Sequence, residues 1–279
     1  MIPGQAPNGA SSDHTHLLFQ ENAKLYSHQV SIQSIIPFAD LDEANRALYK
    51  AGTDSDHAII TNETIFHPQG GGQPSDEGKM EASNATFDVA MVRMDAVNQG
   101  RVLHFGRFVS GNPDALPSDS PITQHIDVDK RIFYSRYHSA GHVLGAAVRA
   151  LLEKEIPGFD ELKASHVPGS AACEFQGSID GKWKADIQQK VDEYIAADMP
   201  IEIDWWSQED FEKEGLQRLV PDPAIFDSVP GGKLRVVRIV GAEIYPCGGT
   251  HVDSTEGCGK TTVKKVSRAK GTSRVSYLL

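Results

Sequence analysis

The sequence predicts an α+β protein: a β-rich, barrel-like N-terminal domain followed by an α+β domain with an antiparallel sheet. Three observations predict it. The first half repeats short runs rich in β-branched and aromatic residues between turn clusters, such as SHQVSIQSII, AIITNETIF and RVLHFGRFV. The second half opens on a proline-free stretch whose apolar residues recur at helical intervals. Beyond it helix-like and strand-like segments alternate, and period-2 runs near the C-terminus favour antiparallel pairing.

Taken in order, residues 1–16 are rich in Gly, Ser, Pro and Asn and are expected to form a flexible lead-in. Strands are expected at residues 26–36 and 58–66, with the acidic DLDEANRAL between them as a short insertion or helix. HPQGGGQPSDEG follows, with three successive glycines bracketed by prolines. Such glycines permit left-handed turns or let backbone amides approach a ligand. It is not a phosphate-binding P-loop, because no Gly-Lys-Ser/Thr follows and no helix opens after it, so chemistry alone reads it as a plain turn. TFDVAMVRMDAV and RVLHFGRFV add strands, and GNPDALPSDSP is a turn-rich connection.

A domain boundary near residue 125 gives a β-rich domain over residues 17–125 and a second domain over residues 126–279. There the pattern predicts a helix over residues 137–152, strand and turn over 163–175, and a helix over 182–199. A strand in PIEIDWW, a helix in SQEDFEKEG and strands in LRVVRIV, KTTVKKV and SRVSYLL complete the domain.

At 279 residues, 39% hydrophobic and 23% charged, the chain has an ordinary globular profile. No apolar run approaches the ~20 residues of a membrane span, and the N-terminus lacks the basic and apolar regions of a signal peptide, so a cytoplasmic protein is expected. Three cysteines, Cys173, Cys247 and Cys258, cannot build a disulfide framework and suit a reducing compartment. A net charge of −11 argues against general nucleic-acid affinity. Yet Lys260, Lys264, Lys265, Arg268, Lys270 and Arg274 crowd the C-terminus, as either a solvated strand face or a local phosphate track.

The chemistry concentrates in two motifs. On a helix, His138 and His142 stand one turn apart on one face, and Cys247 and His251 flank a glycine-rich turn in PCGGTHV. Imidazole and thiolate are the ligand set zinc prefers, so the pairs together predict a four-residue zinc site. The separation of the pairs exceeds the ~30 residues of a small zinc finger and points to an enzyme pocket. If all four ligate permanently the site is closed and structural; if one is loose, a water or substrate hydroxyl enters. No separate carboxylate declares itself as a general base, and Asp76 reads as a loop cap.

HSAGHVLGAAVR with PCGGTHV resembles the editing domain of alanyl-tRNA synthetase, whose signature is HxxxH followed by CxxxH. TIFHPQGGGQPSDEG is similar to that family's T-x-F-Y-P-x-G-G-G-Q-P-x-D loop and points to its freestanding members, the AlaX trans-editing proteins. The resemblance spans roughly residues 25–279. It implies hydrolysis of the ester joining a wrong amino acid, serine or glycine, to the 3′-terminal adenosine of alanine tRNA. It implies Zn2+ on His138, His142, Cys247 and His251, and puts Thr64 where the family has a threonine that helps select serine. Gly70, Gly71, Gly72 and Gln73 become the expected lining of the aminoacyl pocket, Gly248 and Gly249 the close approach to the terminal ribose. Lys264, Lys265, Arg268 and Lys270 become the expected phosphate contacts. Three departures from the family pattern are His67 for Tyr, Gln69 for Glu and Gly141 for a bulkier residue. No aminoacylation site fits the sequence, so editing is expected in trans. The alternative is an inactive zinc-containing tRNA-binding or synthetase-associated module.

Overall fold

A computed structural model of the protein describes residues 14–220 and 222–279. They form two compact units, residues 14–70 with 74–131, and residues 71–73 with 132–279. Among the described residues no helix is long and apolar enough to cross a membrane.

The first unit holds β1 (His16–Leu17), β2 (Ser27–Pro37), β3 (His57–Thr61), β4 (Glu63–Thr64), β5 (Gly78–Ala82), β6 (Ala85–Met94), β7 (Val102–Ser110) and β8 (Pro121–Ile126). Two short helices, α1 (Leu18–Glu21) and α2 (Glu43–Arg46), sit among them. Six strands close into an antiparallel barrel in the order β2-β3-β7-β6-β5-β8. The sequence alternation is the alternation of its wall. Along β6, Ala85, Phe87 and Val89 are buried, and a register shift between Val89 and Met91 passes the buried position to Val92.

The strand expected over residues 58–66 is interrupted at Asn62. Its side-chain oxygen accepts from the Ser31 amide at 2.8 Å, and Thr61 Oγ1 donates to the Glu63 carbonyl at 2.7 Å, which turns the chain between β3 and β4. β4 then pairs in parallel with β1. Residues 14–16 of the expected lead-in are ordered, because Thr15 is buried and its hydroxyl donates to the Thr61 carbonyl at 3.1 Å. The lead-in before residue 14 lies outside the described residues. Asp76 closes the glycine-rich loop: its carboxylate accepts from the His67 amide at 2.6 Å and forms a buried ion pair with Arg131. The Arg131 guanidinium also donates to the carbonyls of Ile65 and Ala23, so both charges are fully partnered.

α3 (Val128–Leu152) is 25 residues long and leads into the second unit. It starts well before the predicted residue 137, because Ile132 and Phe133 are exposed and blur the apolar period, while Asp127 Oδ1 caps the helix by accepting from the Lys130 amide at 3.0 Å. β9 (Asp160–Ser165), β10 (Ala172–Gln176), α4 (Lys184–Ala196), β11 (Ile201–Trp206), α5 (Gln208–Lys213), α6 (Ile225–Ser228), β12 (Leu234–Ile239), β13 (Glu243–Pro246), β14 (Thr262–Ala269) and β15 (Thr272–Leu278) follow. They make two antiparallel sheets, β14-β15-β10-β9 and β11-β12-β13. Val143, Leu144, Ala147 and Val148 of α3 pack in one core with Phe175, Val263 and Val275 of the larger sheet and with Ile187 and Val191 of α4. Each large aliphatic or aromatic side chain there contributes about 1.5–3 kcal/mol of burial, which fixes the helix that carries the histidine pair.

Candidate metal centre

One turn of α3 brings the rings of His138 and His142 to 4.8 Å, nearly perpendicular. Cys247 follows the end of β13, where its amide still donates to the Arg235 carbonyl at 3.1 Å, and the glycines then reverse the chain so that His251 returns beside it. Cys247 Sγ lies 3.4 Å from both His138 Nε2 and His251 Nε2. One ligand atom from each of His138, His142, Cys247 and His251 lies within 4.8 Å of every other. Gly249 permits the approach: a Cβ there would stand 2.3 Å from His138 Cε1 and 2.7 Å from Gln73 Oε1.

Outer hydrogen bonds hold the rings so that their Nε2 atoms face inward. The Thr250 amide can only donate, and it donates to Gln73 Oε1 at 3.0 Å, which identifies that atom as the oxygen. His138 Nδ1, 2.7 Å from the same oxygen, must then carry a proton, and its Nε2 keeps the lone pair. Gln73 Nε2 donates to Thr250 Oγ1 at 2.8 Å, which meets Ser135 Oγ at 2.7 Å. His251 Nδ1 is held by Ser139 Oγ at 3.0 Å. His142 Nδ1 is buried with no hydrogen-bond partner among the described residues.

The protonation chemistry suits a soft divalent cation. Burial, with repulsion from Arg235 and from His166 when that ring is protonated, keeps the His142 pKa well below its usual value, so the ring is a neutral donor. Burial pushes the Cys247 thiol up, opposed by the Gly249 amide at 3.4 Å and by Arg235. A metal ion replacing that thiol proton restores the balance. Three imidazoles and one cysteine, with the His138 tautomer set and one buried nitrogen orphaned, fit zinc.

The cluster borders a cavity of about 510 Å³. Gly71, Gly72 and Gly248 line it, as expected of pocket residues. Gln73 is buried behind His138, and Gly249 packs against the His138 ring, so both support the cluster and not the cavity wall. Gly70 is exposed in the barrel unit. Thr64 is buried in the barrel: His104 Nδ1 donates to the Ile59 carbonyl at 2.9 Å, so His104 Nε2 is an acceptor and takes the Thr64 hydroxyl proton at 2.7 Å. Lys264, Lys265, Arg268 and Lys270 are exposed on β14, an edge strand, and the turn after it; Arg268 pairs with Asp180 at 3.4 Å.

Sequence reasoning missed two lining residues, Glu161 and His166. Arg149 gathers four carboxylates, Glu153, Asp160, Glu161 and Glu243, within 2.7–3.2 Å. Burial raises the Glu161 pKa to about 7, with Glu243 adding to the rise and Arg149 and the Tyr245 hydroxyl opposing it. His166 stacks on His138 at 4.3 Å and 26°, and burial pulls its pKa down to about 4. The signal for His166 was Gly141: a Cβ there would meet His166 Cε1 at 2.3 Å and Tyr277 Oη at 2.6 Å. A glycine in mid-helix costs about 1 kcal/mol relative to alanine, and here it opens the space the second ring occupies.

The family model of the threonyl and alanyl tRNA synthetase second additional domain matches residues 234–276, the stretch holding Cys247 and His251. Alanine–tRNA ligase of Methanobrevibacter smithii is 28% identical over 230 residues, 80% of this chain and 24% of the ligase. That of Methanosphaera stadtmanae is 28% identical over 250 residues, 86% of this chain and 26% of the ligase. That of Leptospira interrogans is 28% identical over 214 residues, 75% and 20% respectively. The chain is similar to alanine–tRNA ligase over most of its own length, and its C-terminal stretch matches the second additional domain. This homologue spans only 20–26% of the length of those three ligases.

Proposed function

We propose that this protein is a zinc-dependent trans-editing deacylase that hydrolyses mischarged alanine tRNA, removing serine or glycine from the 3′-terminal adenosine. The observation that carries the reading is the convergence of His138, His142, Cys247 and His251 at the edge of a cavity of about 510 Å³, in a chain homologous to alanine–tRNA ligase over most of its length. The four side chains would hold the ion. Zinc held there would supply Lewis acidity and fixed positive charge for an ester carbonyl undergoing hydrolysis.

The protein's own groups do the rest. Gln73 and Ser139 fix the rings of His138 and His251, so the cluster is organised before substrate arrives. Glu161, with its carboxyl poised near neutral pH in the cavity, takes the role of proton acceptor for water. An aminoacyl ester is already activated, so positioning it in a shielded cavity supplies much of the acceleration required. The exposed cations on β14 would contact tRNA phosphates, and their few charges set a shallow salt dependence against a net charge of −11.

Deacylation of Ser-, Gly- and Ala-tRNA(Ala) by the purified protein tests the reading. The expected result is turnover of the seryl or glycyl substrate with alanine spared. Tight tRNA binding without turnover of either would overturn it in favour of a binding module.

A further inference from the structure

We propose that His166 recognises a hydroxyl group of the aminoacyl-adenosine end by accepting its hydrogen bond at Nε2; this rests on the editing reading and names what selects within that pocket. The argument starts from a single proton. The Tyr277 hydroxyl donates to the Tyr137 carbonyl at 2.8 Å, and a carbonyl can only accept. Having no second proton, the Tyr277 oxygen accepts from His166 Nδ1 at 2.8 Å. Neutral His166 therefore carries its proton on Nδ1 and its lone pair on Nε2.

Among the described residues no protein group meets that Nε2, although His166 is only 2% exposed and lines the cavity beside His138 and Cys247. That nitrogen is not one of the buried unpartnered atoms among the described residues, so it opens on the cavity, where a donor from outside the chain can reach it. The ring is held for this purpose: it stacks on His138, its amide donates to the Gly72 carbonyl at 2.8 Å, and Gly141 leaves it room. An ammonium group would be drawn to the Glu161 carboxylate in the same cavity, which leaves the uncharged imidazole for an uncharged donor. Two hydroxyls of the substrate qualify, the serine β-hydroxyl and the ribose 2′-hydroxyl. Thr64 does not compete, since its proton is already given to His104.

His166→Phe keeps a flat ring against His138 and removes both nitrogens, while His166→Gln retains an acceptor oxygen at similar reach. Both would be compared with the wild type on Ser-tRNA(Ala), Gly-tRNA(Ala) and the same substrates ending in 2′-deoxyadenosine, with zinc content measured for each protein. Calorimetry with the non-hydrolysable 3′-amides of seryl- and glycyl-3′-amino-3′-deoxyadenosine gives affinity without turnover. We expect His166→Phe to lose about tenfold or more for the substrate bearing the recognised hydroxyl, with zinc content unchanged, and His166→Gln to recover most of it. A loss confined to serine assigns the β-hydroxyl. A loss shared by serine and glycine but absent from the 2′-deoxy substrates assigns the ribose. Equal losses on all substrates, or no loss, would overturn the proposal. Hydroxyl-dependent binding of the amides through His166 without turnover of any ester would sink the editing reading alone, and absence of both binding and turnover would end both.

Discussion

Each unit of the protein buries polar side chains around histidine, and the two clusters are completed in different ways. In the barrel, His104 donates to Ile59 and accepts from Thr64, while Thr64 accepts from the Phe66 amide. Gln124 accepts from the Ile65 amide and donates to Thr61 Oγ1 and the Glu63 carbonyl. The side chains of His104, Thr64 and Gln124 find their complements within the unit, which is what a buried network requires if its only task is to fix a fold. In the second unit the outer nitrogens of His138, His166 and His251 are equally well bonded, to Gln73, Tyr277 and Ser139. Their inner sides are occupied chiefly by one another, by Cys247 and by a cavity. A network closed on one side and open on the other is organised for something the chain does not itself provide.

The largest expected effect is that of acid on the closed cluster. The His104 pKa falls from 6.5 to about 4 on burial, so the unfolded chain takes up a proton first as pH drops. Its contribution is complete above pH 6.5 and is lost progressively down to about pH 4, on the order of 3 kcal/mol. Urea unfolding followed from pH 7 to 4 should show this loss, and His104→Gln should flatten it. A parallel pH dependence in both proteins would assign the effect elsewhere.

Gln73→Leu sharpens the contrast from the open side. It strips His138 Nδ1 and the Thr250 amide of their acceptor, and zinc affinity should fall roughly 10–100-fold by competition with a chelator while the barrel unfolds as before. Thr64→Val is the counterpart on the closed side. Leaving His104 Nε2 and the Phe66 amide unpaired should cost about 1–3 kcal/mol of barrel stability with little change in serine over alanine selectivity. A selectivity change without loss of stability would return Thr64 to the substrate.

What the sequence disclosed follows the same division. The histidine pair and the PCGGTH turn were legible because both are local: a helical spacing of four residues, and a proline and two glycines that force a reversal. The barrel strands were legible from alternation, and α3 lost its first turns because Ile132 and Phe133 are exposed apolar residues. Glu161 and His166 were not legible. The face that β9 turns to the cavity depends on its pairing with β10, including a register shift at Glu174/Phe175, and no local pattern encodes that. Gln73 was noticed as a pocket residue, but its contact with His138 spans 65 positions and its contact with Thr250 spans 177, so its supporting role belongs to tertiary structure alone.

The central claim is that the open cluster is a metal site completed by Cys247 and three imidazoles. Titrating the metal-free, full-length protein with cobalt(II) tests it most directly, because a cobalt–thiolate bond gives a charge-transfer absorption that imidazole and water do not. The account predicts one tightly bound ion per chain, displaced by zinc, with a charge-transfer band that Cys247→Ser abolishes. Failure to bind cobalt or zinc, or a band that survives in Cys247→Ser, would contradict it.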